Sequence, residues 1–142
     1  MTHVLDTDHA SILQYPGGGE YATVAARVRV HPQTDLALTV VSFHEQTRGA
    51  NAMVTGGRTG HHVVSGFALC HRLLEFYSRW TVLPYDPAAA TEFDRLRTQR
   101  VRIETNDLRI ATIALSRNLV LVTRNARDFA QVPGLRTEDW TR

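Results

Sequence analysis

Residues 2–11 read THVLDTDHAS: an apolar run, His3 to Leu5, that ends in two aspartates, Asp6 and Asp8, held apart by one threonine. A run of this kind suits a short strand, which places the acids where the strand stops. Carboxylates gathered in one place repel one another unless something neutralises them. The reading of this stretch therefore turns on what the rest of the chain brings to the same edge.

Working outward, short strands alternate with helices. Tyr21 to His31 is helical after the PGGG break at Pro16 to Gly19. Leu36 to Val41 reads as a buried strand. Asp86-Pro87 opens a helix in which Ala89, Phe93 and Leu96 recur at spacings of four and three. RNLVLVT, residues 117–123, supplies a further strand, and Leu135 to Thr137 an edge strand. This alternation predicts an α/β fold, a parallel sheet flanked by helices, in a single domain spanning residues 1–142. In such sheets ligands bind beyond the carboxyl ends of the strands.

The composition is that of an ordinary globular chain, 43% hydrophobic and 21% charged, which argues against disorder. Stretches such as LALTVVSF fall far short of the ~20 apolar residues a membrane-spanning helix needs, so no membrane role and a cytoplasmic location are expected. All 16 basic residues are arginine, which excludes mechanisms that need a catalytic or phosphate-binding lysine. Half of the arginines lie between Arg95 and Arg127, where guanidinium forks could grip phosphates bidentately. A net charge of only +2 reads most of them as solvated surface charge and a few as substrate contacts.

The longest predicted helix runs from about His61 to Trp80, with Val63, Phe67, Cys70, Leu74 and Tyr77 at spacings of four and three. That stripe is core or interface, and its length points to a homodimer. Cys70, the single cysteine, cannot form an internal disulfide and reads as a small buried apolar residue rather than a nucleophile. His61, His62 and His71 lack zinc-site spacings and read as exposed histidines.

Three more stretches can bring acids to Asp6 and Asp8. Glu45, in TVVSFHEQTRGA, follows a strand and is trailed one turn later by Gly49, whose small size would permit close approach. Asp107, in NDLRIATIALSRN, precedes Ile110 and Ala111 by three and four residues, so its carboxylate lies along a buried helical face. The competing reading makes Asn106 or Asp107 a helix N-cap with no chemistry. VLVTRNARDF sets Asn125 and Asp128 beyond another strand. Asp94 reads as a helix-surface acid. A divalent cation resolves the repulsion of such a cluster: Mg2+ or Mn2+ takes a few carboxylates together with waters and substrate phosphate, and needs no histidine or thiolate.

With those residues in hand, the stretches LDTDHAS, VSFHEQTRG, TNDLRIATIAL and LVTRNARDFAQVPGLRTEDW resemble PIN-domain ribonucleases of the VapC toxin type, over nearly the whole chain. The resemblance implies a PIN-like fold and a Mg2+- or Mn2+-dependent endoribonuclease that cleaves RNA and is blocked by a cognate VapB-like antitoxin. It matches the family's first acid to Asp6, the second to Glu45 and the third to Asp107, with the fourth polar ligand within Asn125 to Asp128. Catalytic roles thus fall to Asp6, Glu45, Asp107 and Asp128, and metal ligation to Asp6, Glu45, Asp107, Asn125 and Asp128. Glu104 departs from the pattern, standing before TND where the family often has glycine.

Two competing readings remain open. A haloacid-dehalogenase-like phosphohydrolase also sets Asp-x-Asp after its first strand and uses Mg2+, but it needs a later lysine or arginine and an acidic pair near a glycine. A non-catalytic module that only binds an antitoxin is the other, against which stands the joint presence of Asp6, Glu45 and Asp107.

Overall fold

The computed structural model describes residues 1–142. The chain runs β1 (His3–Leu5), α1 (Thr7–Leu13), α2 (Tyr21–Arg29), β2 (Leu36–Thr39), α3 (Val40–Thr55), α4 (Gly60–Ser78) and β3 (Thr81–Leu83), then α5 (Pro87–Thr98), α6 (Thr105–Ser116), β4 (Val120–Val122), α7 (Ala126–Phe129) and β5 (Thr137–Glu138). All strands pair in parallel in the order β3-β2-β1-β4-β5, with Val4 opposite both Ala37 and Leu121. The strand order reverses at β1, so the crevice beside its carboxyl end is the place where such a sheet binds ligands.

Strand alternation divides the core. Val4, Ala37 and Leu121 face α5 and α6, packing on Ala89, Leu96, Ile110, Ile113 and Phe129. Leu5, Leu36, Leu38 and Val122 face the other way, onto Ala10, Ala50, Leu73, Tyr77 and Trp140. Burial on both faces explains why these strands read as unbroken apolar runs.

Capping chemistry sets the helix starts. The predicted strand over Leu36 to Val41 stops at Thr39, because the Thr39 hydroxyl accepts the Ser42 N–H at 3.1 Å and turns Val40 into the first helical residue. Asp86 caps α5 as predicted, with Pro87 in the first turn. The edge strand is shifted to Thr137–Glu138, and β3 is a strand the alternation pattern missed.

Helix α4 falls where the periodicity puts it, but the buried stripe differs. Leu73 and Tyr77 are buried, whereas Phe67 and Leu74 are 59% and 63% exposed and Cys70 is exposed as well. Cys70 is therefore not a core residue. The helix is apolar on two sides, and the side holding Gly66 packs inward: a Cβ there would stand 2.7 Å from Val54 Cγ2 and 3.1 Å from the Ala50 carbonyl. Gly49, by contrast, is exposed with nothing near it, so close approach belongs to Gly66. No helix is long and apolar enough to cross a membrane.

Candidate active site

The β1–β4 ladder continues one bond past the strand, with the Asp6 N–H donating to the Val122 carbonyl at 3.0 Å. Asp6 is thereby fixed at the carboxyl edge, 7% exposed, and serves as N-cap of α1. Its Oδ1 accepts the His9 main-chain N–H at 2.9 Å and lies 3.0 Å from Nδ1 of the same residue. A carboxylate is an acceptor, so Nδ1 carries the proton. His9 is wholly buried, and its Nε2 has no partner. One aspartate oxygen is thus committed inward, leaving Oδ2 to meet the cleft.

Glu45 is placed by a directed chain of hydroxyls. Thr7 Oγ1 donates to Glu45 Oε1 at 2.8 Å; Ser42 then donates to Thr7 at 2.9 Å, and Thr39 to Ser42 at 3.3 Å. Thr39 and Ser42 are fully buried. The residue that caps α3 and the one that follows Asp6 therefore jointly orient the glutamate.

The helix-cap alternative for Asp107 fails, and the reason is Glu104. Its two carboxylate oxygens accept the N–H groups of Asn106 and Asp107 at 3.0 and 2.9 Å, capping α6 from outside. The departure from glycine at this position thus performs the cap and frees the Asp107 side chain. Helix α6 leads back to β4 and so begins at the carboxyl edge, beside the other acids. Partial burial, then the charges of Glu104, Asp6, Glu45 and Asp128, push the Asp107 carboxyl up to about 6.

Asp6, Glu45, Asp107 and Asn125 line one cleft of about 390 Å³ together with Thr7, Asp8, Ser11 and Arg124, and no hydrophobic residue borders it. Asp128 stands behind this wall rather than in it. Asn125 Nδ2 donates to Asp128 Oδ2 at 3.0 Å, which leaves the amide oxygen of Asn125 as its free acceptor. Asp94 is exposed on α5, as expected.

The cap of α1 is made by Asp6, and Asp8 takes no part in it. Asp8 instead pairs with the Arg124 guanidinium, which also forks onto Glu20 at 2.8 and 2.7 Å. That pairing joins α1, the start of α2 and the segment after β4, positions 116 and 104 residues from Arg124. Sequence reasoning had no signal for it. Nor did it single out His9, Thr7 or Ser42, although the spacing Asp6–His9 is that of an N-cap and the third residue of its helix.

A family model for the PIN domain matches residues 5–135. The chain is 30% identical to a ribonuclease VapC1 of Haemophilus influenzae over the full length of both. A shorter match of 47% identity links it to a tRNA(fMet)-specific endonuclease VapC of Shigella flexneri; there the aligned segment covers 46% of this chain and 53% of the relative, about half the length of each. Among solved structures, a DNA-bound VapBC from Salmonella typhimurium superposes with a TM-score of 0.76 at 26% identity, over 99% of this chain and 98% of that one. Both the family model and the full-length relative settle the point against a haloacid-dehalogenase assignment: the chain belongs to the PIN-domain family, in its VapC branch.

Proposed function

We propose that this protein is a divalent-metal-dependent endoribonuclease and the toxin of a toxin–antitoxin pair. The observation that carries this reading is the convergence of Asp6, Glu45, Asp107 and Asn125, from four separate parts of the chain, on one wholly polar cleft at the carboxyl edge. The donor set is all oxygen, which suits Mg2+ or Mn2+. No three of the chain's acidic, histidine or cysteine side chains stand close enough to grip one ion between them. A cation that keeps several of its waters and takes one or two carboxylates fits such an open arrangement.

In this reading Asp6 and Asp107 would hold the cation, Glu45 would orient a water or a second ion, and Asn125, backed by Asp128, would complete the shell. The chemistry that a cation would supply there is activation of a water and offset of charge on the scissile phosphodiester. The chain's part is orientation: His9 and the cap of α1 hold Asp6 in one rotamer, Thr7 holds Glu45, and Glu104 keeps the amides of α6 from capturing Asp107.

The names of the relatives support RNA as substrate and make initiator tRNA the first one to try. The VapBC structure supports a VapB-like antitoxin as partner. An apolar groove of about 300 Å³, with Leu13, Tyr15, Leu69, Leu73 and Phe76 in its walls, offers such a partner a docking face. The outward stripe of Val64, Phe67 and Leu74 supports a homodimer. Purified protein should cleave initiator tRNA or another structured RNA with Mg2+ or Mn2+ and stop in EDTA; cleavage indifferent to EDTA would remove the metal reading.

A further inference from the structure

Of the eight arginines between Arg95 and Arg127, the fold neutralises three: Arg95 with Glu92, Arg117 with Asp86, and Arg124 with Asp8 and Glu20. Arg97, Arg100 and Arg102 take no carboxylate. They line a second cleft, of about 560 Å³, together with Val101, Ile103, Glu104 and Asp128. The last two residues link it to the acid cleft: Glu104 caps the helix of Asp107, and Asp128 is bonded to Asn125 of the acid cleft. The two clefts are therefore neighbours, one acidic and one bearing three guanidinium groups without a carboxylate partner, that of Arg97 resting over the Phe93 ring, beside the carboxylates of Glu104 and Asp128.

Arg100 stands at φ 61°, one of only two non-glycine residues in the chain with positive φ. That conformation costs free energy for a side chain with a Cβ. It is held by bonds from Arg100 N–H to the Arg97 carbonyl and from Val101 N–H to the Leu96 carbonyl, which wind up the end of α5. Val101 is buried beneath the turn, so the exposed Arg100 and Arg102 flank an anchored residue.

We infer that this arginine turn is a phosphate-binding site for the RNA strand as it leaves the acid cleft. The inference rests on the nuclease reading for the direction of the strand, and adds to it a site and a function for the 97–102 turn. Guanidinium groups on a polar surface recognise phosphate oxygens through paired N–H donors. A protein segment would find little here to bury, since only Val101 and Ile103 in the lining are apolar, whereas the groove beside α4 is rich in apolar side chains.

The test is fluorescence anisotropy with a labelled single-stranded 16-nucleotide RNA of mixed sequence, in EDTA, across a salt series. Each phosphate contact on a single strand contributes about 0.7 to the slope of log affinity against log salt. The triple variant Arg97→Gln, Arg100→Asn, Arg102→Gln should lower that slope by about 2; asparagine is chosen because it tolerates positive φ. A control that removes Arg29, Arg48 and Arg58, all outside both clefts, should leave the slope near that of the native protein. Lysine at positions 97 and 102, with asparagine kept at 100, should restore about 1.4 of that slope. In cleavage assays KM should rise while kcat on bound RNA holds. An unchanged slope and KM in the triple variant, or a loss equal to that of the control, overturns the inference while cleavage by the native protein still stands. So does normal RNA binding with loss of antitoxin binding, which would make the turn a protein contact. The salt signature without any RNA cleavage would sustain the arginine site and sink the nuclease reading.

Discussion

Asp6 and Asp8 lie two residues apart at the same end of the same strand, yet their charges meet opposite environments. Asp8 sits on the rim, paired with Arg124, which Glu20 shares. Asp6 lies inside, with the two N–H donors of His9 on one oxygen, Glu45 and Asp107 lining the same cleft and Asp128 behind its wall. No arginine pairs with those inner acids, although Arg124 borders the same cleft and is committed to Asp8 and Glu20. Carboxylates that structure alone required would be expected to recruit such a partner, since unpaired clustered acids cost stability. That contrast supports the proposed cation as the partner of the inner acids.

The largest effect should come from Asp6→Asn. Asparagine caps a helix about as well as aspartate, and its Oδ1 can still accept both bonds from His9. The substitution removes only the oxygen left for the cleft and its charge. RNA cleavage should fall to the EDTA blank while the circular-dichroism spectrum stays native; full activity in this variant would erase the distinction between inner and outer acids.

Next comes the hydroxyl relay. Thr7→Val removes the donor to Glu45 without adding bulk, and residues that orient a metal's surroundings typically account for about 10- to 100-fold in activity or metal affinity. Thr7→Ser should recover most of the loss. If valine and serine behave alike, the 2.8 Å contact does not position the glutamate.

Asp107 tests the repulsion directly, in stability rather than turnover. Its carboxyl titrates at about 6 in the folded chain against an ordinary value of 3.8. The folded state therefore binds the proton more tightly than the unfolded one, and the resulting stability is present below pH ~4 and lost as pH rises through 6. In EDTA at pH 7.5, Asp107→Asn should be the more stable protein. The shift is worth about 3 kcal/mol at face value, and about 1 kcal/mol once the half-exposed setting is allowed for. That corresponds to roughly 3 °C in Tm. The gap should close as the pH falls towards 4, and Mg2+ should reverse it by stabilising the native chain preferentially. Parallel melting curves for the two proteins from pH 4 to 8 would show that the inner acids do not repel.

The sequence carried the inner acids better than their supports. Asp6, Glu45 and Asp107 were legible because each stands at a junction that local patterns mark: a strand end, a helix that follows a strand, the head of an apolar helical stripe. Their supports depend on pairs brought together only by the fold. Thr7 meets Ser42 and Glu45 across 35 and 38 residues, and Arg124 meets Asp8 across 116. Glu104 departs visibly from the family pattern, but its capping role depends on a backbone turn that residue identity alone does not specify. Helix α4 shows the limit of periodicity: it located the helix within two residues at each end, yet with apolar residues on two sides it could not say which side faces inward, and Cys70 was placed on the wrong one.

The smallest effect belongs to the outer acid. Asp8→Asn leaves the α1 cap untouched, since Asp6 makes it, and removes one of two carboxylates from Arg124. Both partners are more than two-fifths exposed, so solvent screens the pair, and exposed pairs contribute about 0.2–1 kcal/mol. Glu20 still holds the guanidinium. Stability should fall by less than 1 kcal/mol, the change should shrink further in high salt, and cleavage should drop no more than a few-fold. Arg124→Gln sharpens the contrast. It frees Asp8 and Glu20 together, adds uncompensated negative charge to the edge of the cleft, and should weaken RNA binding more than Asp8→Asn does while leaving metal affinity nearly as it was. If Asp8→Asn instead abolished metal binding as completely as Asp6→Asn, the ion pair on the rim would be part of the metal site, and the division between neutralised and reserved acids would have to be redrawn around both aspartates.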